Sequence, residues 1–308
     1  MSAVIETSKL SKWYGNVLGL SDVTLTIGPG ILGLLGPNGA GKSTFFKLLT
    51  GQLKPSIGTV TVFGAPIRNN QRTFRRIGLC PEQDALYEEL TGWEFLTNLL
   101  RLYGYGRAEI EARAERALET VELLEDRDRI VRGYSRGMRQ RLKFAQAVAH
   151  DPEVVILDEP LSGLDPLGKR KLIRLIKDFG REGRTVLVSS HVLPEIEALT
   201  ANIVLVHQGK ILASGDIHYI RDLIDTHPHI VAVRSSAART LAGHFVGEPY
   251  VHKVRFENGG ELVLFETSNR DRFFERLTRY AADTASGVEE ITSPDDNLQA
   301  VFDYLVGA

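Results

Sequence analysis

Apolar and polar positions alternate along the first part of the chain, and longer apolar runs follow at intervals. The alternation within residues 4–27, and again at Thr59–Phe63, predicts strands with one buried face. Continuous apolar runs bounded by glycine or polar residues predict fully buried strands at Ile31–Leu35, Glu153–Leu157 and Thr185–Ser189. Helical segments lie between these runs, and such an order is typical of an α/β domain.

Helical spacing of apolar residues dominates residues 87–150. Thr91–Glu94 forms a capping box ahead of a first helix, and a second helix is predicted over about 108–124. Ser135 fits the N-cap of a third. A further helix is expected to begin at Pro166, because proline is favoured at the first helical position. Residues 87–150 therefore read as a helical insertion within the α/β domain.

The pattern changes at about residue 225, and a second set of elements follows. Asn258–Gly260 supplies a hairpin turn between two of its strands. The order β-α-β-β-α-β, with one more helix at the end, predicts a small ferredoxin-like α+β domain. The predicted strands are Ile230–Val233, Val251–Phe256, Glu261–Phe265 and Val288–Ile291, and the predicted helices are Ala237–Phe245, Asp271–Tyr280 and Asn297–Leu305.

Composition narrows the choice of partners. The chain has 308 residues, of which 43% are hydrophobic, and its net charge is -2, so bulk charge gives no reason to expect nucleic acid as a partner. A single cysteine, Cys80, excludes an internal disulfide and a multi-thiolate metal site and suits a reducing cytosol. No apolar run approaches the roughly 20 residues that span a bilayer, and the start lacks the form of a signal peptide. We therefore expect any membrane connection to come through another chain.

A glycine-rich stretch after the strand Ile31–Leu35 fits the phosphate-loop pattern G-x-x-x-x-G-K-[ST], and a helix is predicted over Phe45–Leu49 behind it. Its glycines let backbone N–H groups turn toward an anion, and the helix adds its positive N-terminal end. Lys42 would neutralise the β- and γ-phosphates of a nucleotide, Ser43 would bind Mg²⁺, and the Thr44 hydroxyl could reach the α-phosphate. The loop consists of Gly36, Pro37, Asn38, Gly39, Ala40, Gly41, Lys42, Ser43 and Thr44.

Two carboxylates end the predicted strand Glu153–Leu157, in the Walker B arrangement. Because consecutive strand residues face opposite sides, we expect the pair to divide its work. Asp158 would hold Mg²⁺, while Glu159 would orient and deprotonate the water that attacks the γ-phosphate.

Four weaker signals each have a functional and a structural interpretation. Tyr14 either stacks on an adenine or packs in the core. Glu82 and Gln83, in the loop after the short run Ile77–Cys80, either reach Mg²⁺ or the attacking water or form an ordinary solvated loop. His191 follows the carboxyl end of a strand, where it could bond the γ-phosphate or serve only the structure. The helix start at Ser135 is either a second anion-binding end or a capped helix with a basic face.

The order of these motifs resembles the ATP-binding cassette of ABC transporters over about residues 4–220. The resemblance implies that Tyr14 is the adenine-stacking aromatic and His191 the switch histidine. It also implies that the phosphate loop is Walker A, Tyr134–Gln140 the signature motif, Asp158 and Glu159 Walker B, and Ser162–Asp165 the D-loop. In this family Ser135 and Gly137 touch phosphate, and Asp165 belongs to the nucleotide site.

The resemblance implies an α/β fold, a P-loop NTPase cassette with a RecA-like core, an antiparallel β-subdomain and a helical subdomain at about 87–150. The cassette is expected over 1–222 and the small α+β domain over 223–308. ATP and Mg²⁺ are the implied cofactors. Two cassettes are expected to close head to tail on two ATP molecules, as a homodimer or with a sister cassette, so that Ser135 and Gly137 of one complete the site of Lys42 of the other.

Two departures from the family pattern carry information. The signature is Tyr134-Ser135-Arg136-Gly137-Met138 instead of Leu-Ser-Gly-Gly-Gln, a form similar to the branch whose cassette is a separate chain paired with exporter-type permeases. Glu82 stands where a glutamine is commoner, with Gln83 one place later, so both remain candidates for the Q-loop residue.

These features imply an ATPase subunit that drives transport, with export as the expected direction, through a separate permease at the cytoplasmic face of the membrane. Residues 84–105 are the candidate contact for the permease. The alternative is a soluble ABC ATPase acting on ribosomes or DNA, although such proteins carry two cassettes or long coiled coils. A P-loop kinase or GTPase would not explain Tyr134–Gln140. The tail would regulate, help dimerisation or only bury a hydrophobic edge.

Overall fold

The computed structural model describes residues 3–217, 229–282 and 287–293. The chain divides into two units, Met1–Gly215 and Asp216–Ala308. The sequence pattern placed this division after residue 222, within a stretch that lies outside the described residues.

The first unit combines two sheets with helices between their strands. Its strands are β1 (Ile5–Tyr14), β2 (Val17–Ile27), β3 (Gly30–Leu35), β4 (Ile57–Val62), β5 (Ala65–Pro66), β6 (Ile77–Cys80), β7 (Val154–Leu157), β8 (Thr185–Ser190), β9 (Asn202–His207) and β10 (Lys210–Asp216). Its α-helices are α1 (Lys42–Leu49), α2 (Gln71–Phe74), α3 (Gly92–Leu102), α4 (Arg107–Thr120), α5 (Arg136–Val148), α6 (Pro166–Arg181) and α7 (Leu193–Glu197).

The larger sheet has the strand order β10-β9-β3-β8-β7-β6. The pairs β9·β3, β3·β8, β8·β7 and β7·β6 are all parallel. All residues of β7 and β8 are buried, which matches their apolar sequences because a parallel sheet is covered on both faces. The segments that follow β3, β6, β7 and β8 therefore leave the sheet at one edge, where α/β sheets bind their ligands.

The smaller sheet has the order β2-β1-β4-β5, and its described pairs are antiparallel. Its alternating apolar residues, such as Ile5, Leu10 and Val62, are fully buried in one core with the α1 residues Phe45 and Leu48. This packing sets the β1–β2 hairpin against the helix that follows the phosphate loop.

The helical region, at about residues 87–150, begins with the predicted capping box of Thr91 and Glu94. The Thr91 hydroxyl accepts a hydrogen bond from Glu94 N, and the Glu94 carboxylate accepts one from Thr91 N. Helix α4 ends at Thr120, four residues before the predicted end, because Glu122 adopts a left-handed backbone with φ 56°. The capping box is therefore confirmed, and the end predicted for the second helix is wrong.

His150 lies just beyond the carboxyl end of α5, with 4% of its surface exposed. Its ring stacks on Tyr103 at 4.4 Å, and its Nε2–H donates to the Ile77 carbonyl at 3.0 Å. Burial disfavours the charged imidazolium and lowers the pKa of His150 to about 4. A neutral histidine thus joins the helical region to β6.

The second unit is built of strands β11 (His229–Ser235), β12 (Val251–Glu257), β13 (Leu262–Thr267) and β14 (Val288–Thr292), with helices α8 (Ala238–Phe245) and α9 (Arg270–Ala282). The sheet order is β12-β13-β11-β14, and all three pairings are antiparallel. This element order matches the split β-α-β arrangement. Phe245 and Phe273, from the two helices, pack with Phe265 and Val233 of the sheet in one core.

The helix expected at Asn297–Leu305 lies outside the described residues. Over the ranges that the structure describes, no helix is both long enough and apolar enough to cross a membrane.

Candidate functional site

Four neighbouring strands of the larger sheet deliver the predicted site residues to one edge. The phosphate loop follows β3, His191 follows β8, the acidic pair follows β7, and Glu82 follows β6. These strands are adjacent in the order β3-β8-β7-β6 and run parallel. Sheet topology therefore gathers residues that are up to about 150 positions apart in the sequence.

The phosphate loop depends on glycine at three places. Gly39 and Gly41 have φ of 80° and 109°, values that other residues rarely adopt. At Gly36 the carbonyl oxygen of Val206 would lie only 2.2 Å from an added Cβ, so only glycine fits there. Within the described residues, no side chain caps the start of α1, and no acidic residue lies in its first turn. The positive end of the helix is therefore available to an anion.

Lys42 points back into its own loop. It is 5% exposed, and its ammonium donates to the carbonyls of Gly36 at 2.6 Å and Pro37 at 3.3 Å. The same Nζ lies 3.2 Å from Glu159 Oε1. A phosphate group placed in the loop would offer this buried cation a stronger partner than neutral carbonyls do.

The acidic pair is held by a serine that the sequence pattern did not single out. The hydroxyl of Ser189, at the end of β8, donates to Asp158 Oδ1 at 2.6 Å and accepts from the Glu159 N–H at 2.9 Å. Asp158, Glu159 and Ser189 are all buried. The signal that could have found Ser189 is its place on the parallel neighbour of β7, one residue before the strand's end.

Strand β7 ends at Leu157, so the prediction that strand alternation separates the two acids is wrong. Glu159 instead has a left-handed backbone with φ 48°. This conformation sends the two carboxylates to different partners, Asp158 to Ser189 and Glu159 to Lys42 and His191.

Glu159 is the residue on which the site converges. Its Oε2 lies 3.0 Å from Nδ1 of His191, whose ring is 46% exposed. Its Oε1 is buried and accepts no hydrogen bond from the described residues, although the Lys42 ammonium lies 3.2 Å away as an ion-pair partner. A carboxylate held by a histidine, with one oxygen that accepts no hydrogen bond, is suited to accept one from water.

Tyr14 lies beside the phosphate loop and is exposed, so it is not a core residue. Its hydroxyl is 3.3 Å from Thr44 Oγ1, and 45% of the residue is exposed. The ring packs against Gly19, where a side chain would collide with it at 2.7 Å. An exposed aromatic ring next to bound phosphates can stack on a nucleotide base.

Glu82 and Gln83 lie in an exposed loop after β6, and neither side chain has a described hydrogen bond or ion pair. The Glu82 carbonyl accepts a hydrogen bond from the buried Lys143 of α5 at 2.8 Å. The loop starts beside Asp158, whose N–H donates to the Cys80 carbonyl at 2.9 Å. The structure therefore brings both candidates close to the acidic edge and leaves the choice between them open.

The signature residues form a separate surface. Ser135 is exposed and caps α5 by accepting from Met138 N at 3.2 Å, and Gly137 sits in the first turn of the helix. Asp165 is likewise an N-cap, of α6, through a 3.2 Å bond from Gly168 N. In the part of the chain that the structure describes, no hydrogen bond or ion pair joins Ser135 or Gly137 to the phosphate loop.

Two contacts support the signature surface from behind. The Arg136 side chain lies over Gly163, where an added Cβ would come within 2.1 Å of its Nε. Gln140 is buried and donates to the Pro160 carbonyl at 2.7 Å. The segment after the acidic pair is thus tied to the start of α5.

Gly209 also holds the phosphate loop, and the sequence pattern gave no sign of it. Its N–H donates to the Ala40 carbonyl at 2.8 Å, and its own carbonyl accepts from Ser21 N at 2.7 Å. The turn between β9 and β10 therefore fastens the loop to β2.

The side chains at this edge fit a magnesium nucleotide. Ser43 lies in the first turn of α1, Asp158 follows the end of β7, which is two strands from β3 in the sheet, and the glycine loop forms an anion cradle. Among the described residues, no three His, Cys, Asp or Glu side chains converge as a metal site. That is compatible with Mg²⁺, which commonly takes one or two protein ligands and completes its shell with phosphate oxygens and water.

Comparison with known proteins shows that the chain is similar to members of one family. The family model described as ABC transporter matches residues 20–162. The bacitracin transport ATP-binding protein BcrA of Enterococcus faecalis is 39% identical over 312 residues, an alignment that covers 100% of this chain and 97% of the relative.

Other relatives agree at different coverage. The Nod factor export ATP-binding protein I of Rhizobium etli is 32% identical over 98% of this chain and 93% of its own length. An uncharacterized ABC transporter ATP-binding protein of Synechocystis is 38% identical over 70% of this chain, and the match spans 63% of that relative's length. A solved ATP-binding subunit of an ABC transporter has a TM-score of 0.66 and 32% identity, covering 72% of this chain and 93% of that chain.

Proposed function

The chain belongs to the ABC transporter family of ATP-binding proteins, and from that premise we propose that it binds and hydrolyses ATP to drive export through a separate membrane permease. The observation that carries the proposal is the convergence of Lys42 and His191 on the buried carboxylate of Glu159, beside an anion cradle. Export is supported by the Rhizobium relative named for export, which aligns with nearly the whole chain.

The phosphate loop is assigned to nucleotide binding. Its N–H groups and the start of α1 receive the phosphates of ATP, and Tyr14 stacks on the base. Lys42 then exchanges the Gly36 and Pro37 carbonyls for phosphate oxygens. That exchange also separates Lys42 from Glu159, so nucleotide binding releases the carboxylate from its ion pair.

Glu159 is assigned to the chemical step. Its Oε1 accepts a hydrogen bond from a water molecule and takes that proton as the water oxygen bonds to the γ-phosphorus, while the bond from the γ-phosphorus to the β–γ bridging oxygen breaks and ADP leaves. His191 keeps the carboxylate oriented through the 3.0 Å contact with Oε2, and Ser189 holds the backbone of Glu159 in place. Ser43 and Asp158 would hold Mg²⁺, with Glu82 or Gln83 as a further contact, and the ion would neutralise charge at the phosphates.

The active unit is proposed to be a dimer, with itself or with a sister cassette. Ser135 and Gly137 lie on an exposed helix start that has no bond to the chain's own phosphate loop in the described structure. Placed against the nucleotide of a second cassette, they would supply donors that the first cassette lacks. The subunit is expected at the cytoplasmic face of the membrane, held there by the permease through residues 84–105.

Replacing Glu159 tests the assignment directly. In Glu159→Gln we expect hydrolysis to fall about 10³-fold, because the amide cannot take a proton, while ATP binding is kept. The variant should elute as a dimer with ATP and as a monomer without it in size-exclusion chromatography. Lys42→Ala should instead weaken ATP binding about 30-fold, since a charged donor is lost.

The matched control is Glu153→Gln, at an exposed carboxylate just before β7 that pairs with Arg76. It should hydrolyse ATP at a rate close to that of the wild type. Normal hydrolysis by Glu159→Gln would disprove the role given to that residue.

The transport assignment has its own test. Purification of the native protein in mild detergent should bring with it a polytopic membrane protein. Recovery of a ribosome or a DNA-bound complex instead would support a soluble ABC ATPase and contradict the proposal.

A further inference from the structure

Lys143 is a buried cation that has no role in the hydrolysis mechanism proposed for Glu159. It lies on α5, two turns after the signature glycine, and only 3% of its surface is exposed. Lysine is almost never buried to this extent without a partner, because removing its charge from water is costly. The groups that contact the Lys143 ammonium therefore indicate the role of its charge.

Both contacts of the Lys143 ammonium lie on the loop after β6. Its Nζ donates to the Glu82 carbonyl at 2.8 Å and lies 3.3 Å from Asp84 Oδ1. These two anchors lie on either side of Gln83. The short segment Glu82–Asp84 is thus fixed at both ends by one side chain.

Arg139, one helical turn before Lys143, contacts the same loop. Its guanidinium lies 3.6 Å from Asp84 Oδ2 and 2.8 Å from Glu88 Oε1. Asp84 therefore bridges two cations of α5. The first turns of the signature helix and the loop after β6 are held together by a connected charge network.

This network lies close to the metal-binding edge. β6 and β7 are paired through Cys80 and Leu157, and the next residue, Asp158, bonds to the Cys80 carbonyl. The loop that Lys143 contacts therefore begins directly beside Asp158 at the end of β7.

We propose that Lys143, acting with Asp84, is a positioning residue that holds the segment Glu82–Asp84 at the magnesium edge and fastens it to the signature helix. The inference rests on the proposed function, because it concerns the Mg²⁺ that accompanies ATP. Loss of the Lys143 or Asp84 charge frees the segment, and whichever of Glu82 and Gln83 serves the metal is then misplaced.

The test compares Asp84→Asn and Lys143→Met with Lys171→Met. Asp84 is half exposed, so its variant should fold, and Met keeps the length of the lysine chain. Lys171→Met removes a shorter ion pair, Lys171–Glu122 at 2.6 Å, on an exposed surface. For each protein, ATP affinity is measured by calorimetry in EDTA and in Mg²⁺, and the Mg²⁺ concentration for half-maximal hydrolysis is determined.

In Asp84→Asn and Lys143→Met we expect ATP affinity in EDTA to stay within about twofold of the wild type. Half-maximal hydrolysis should require about tenfold more Mg²⁺ in both variants. The gain in ATP affinity on adding Mg²⁺ should shrink as well. The double variant should be no worse than the more severe single one, since the two residues act through one contact. Lys171→Met should match the wild type throughout.

Unchanged Mg²⁺ dependence in Asp84→Asn would overturn the inference, even if Lys143→Met failed to fold. A lower melting temperature with normal Mg²⁺ dependence would also overturn it, since it would assign the pair a purely structural role. In either case, normal ATP hydrolysis by the wild-type protein would leave the proposed function in place. If the wild-type protein bound no ATP, the proposed function would fall and the inference with it.

Discussion

The chain contains two helix starts assigned to phosphate, and they are equipped differently. The start of α1 has no side-chain cap in the described structure, and its Lys42 ammonium lies 3.2 Å from Glu159 Oε1. The start of α5 is capped by its own Ser135 and lies exposed, with Arg136 turned back onto Gly163. The groups assigned to the reaction therefore belong to the start of α1, whereas the start of α5 provides only hydrogen-bond donors.

The difference fits the proposal that the two starts are halves of a pocket that two chains complete. Under that proposal the cation Lys42, the metal ligand Asp158 and the base Glu159 act on a nucleotide bound at α1. Among the described residues at the start of α5, Ser135 and Gly137 provide hydrogen-bond donors but no such groups. A second copy of the surface at α5 would add donors opposite the γ-phosphate, and this contrast yields predictions at each helix.

The largest effect is expected from charge at the α5 start. Gly137→Asp should fold, because an added Cβ meets only ordinary contacts and an acidic residue is favoured at a helix N-terminus. Its carboxylate would repel the phosphate of a partner's nucleotide, so we expect turnover to fall about 100-fold. ATP affinity of the monomer should not change. Gly137→Ala, measured in the same hydrolysis assay, should be much less affected.

Mixing two inactive variants sharpens the contrast. A dimer of Lys42→Ala with Gly137→Asp has one complete pocket, so an equal mixture should recover about a quarter of wild-type hydrolysis. Mixing Lys42→Ala with the double variant Lys42→Ala/Gly137→Asp should recover none, because no pocket is complete. Failure of the first mixture to regain activity would mean that each pocket is made by a single chain.

A moderate effect is expected at the opposite end of α5, where His150 joins the helical region to β6. Its pKa is lowered to about 4, so the unfolded chain binds a proton more readily between about pH 6.5 and pH 4. The stability from the neutral ring is complete above about pH 6.5 and is lost as the pH falls toward about 4.

Between about pH 7 and pH 5, denaturant unfolding should show the wild type losing about 2 kcal/mol more than His150→Gln, whose amide can donate to the Ile77 carbonyl but takes up no proton. ATP affinity at about pH 7 should be the same in both proteins. A parallel pH dependence of the two would contradict the buried, neutral state of the ring.

The smallest effect is expected at Tyr14, on the α1 side. Tyr14→Ala should weaken ATP binding about fivefold, since stacking on one base contributes about 1–3 kcal/mol at most. Tyr14→Phe keeps the ring and loses only the contact with Thr44, so its ATP affinity should be close to normal. Inorganic triphosphate, which has no base, should bind all three proteins equally. If Tyr14→Ala bound inorganic triphosphate more weakly than the wild type, the assignment of Tyr14 to the base would be contradicted.

The sequence was most informative where one local segment fixes the conformation. The phosphate loop, the capping box at Thr91 and the caps at Ser135 and Asp165 each depend on residues within a few positions. The order of strands and helices in the second unit followed from periodicity and turn residues in the same way. Family resemblance then assigned chemistry to residues whose own patterns were ambiguous.

Contacts between distant residues could not be read from the pattern. Ser189, Gly209 and Lys143 reach their partners only because parallel strands and α5 bring separate segments together. The division between Asp158 and Glu159 was expected from strand alternation, but the strand had already ended and a positive φ sets the direction of the glutamate. Local rules could not supply either result, since tertiary packing decides both.

The left-handed backbone of Glu159 has a consequence for how the protein tolerates change. Glycine enters this conformation freely, while a residue with a side chain is strained there by roughly 1–3 kcal/mol. A glycine at this position would relax the backbone but would remove the carboxylate to which the proposal assigns hydrolysis. The proposed activity and the stability of the fold therefore favour different residues at this position.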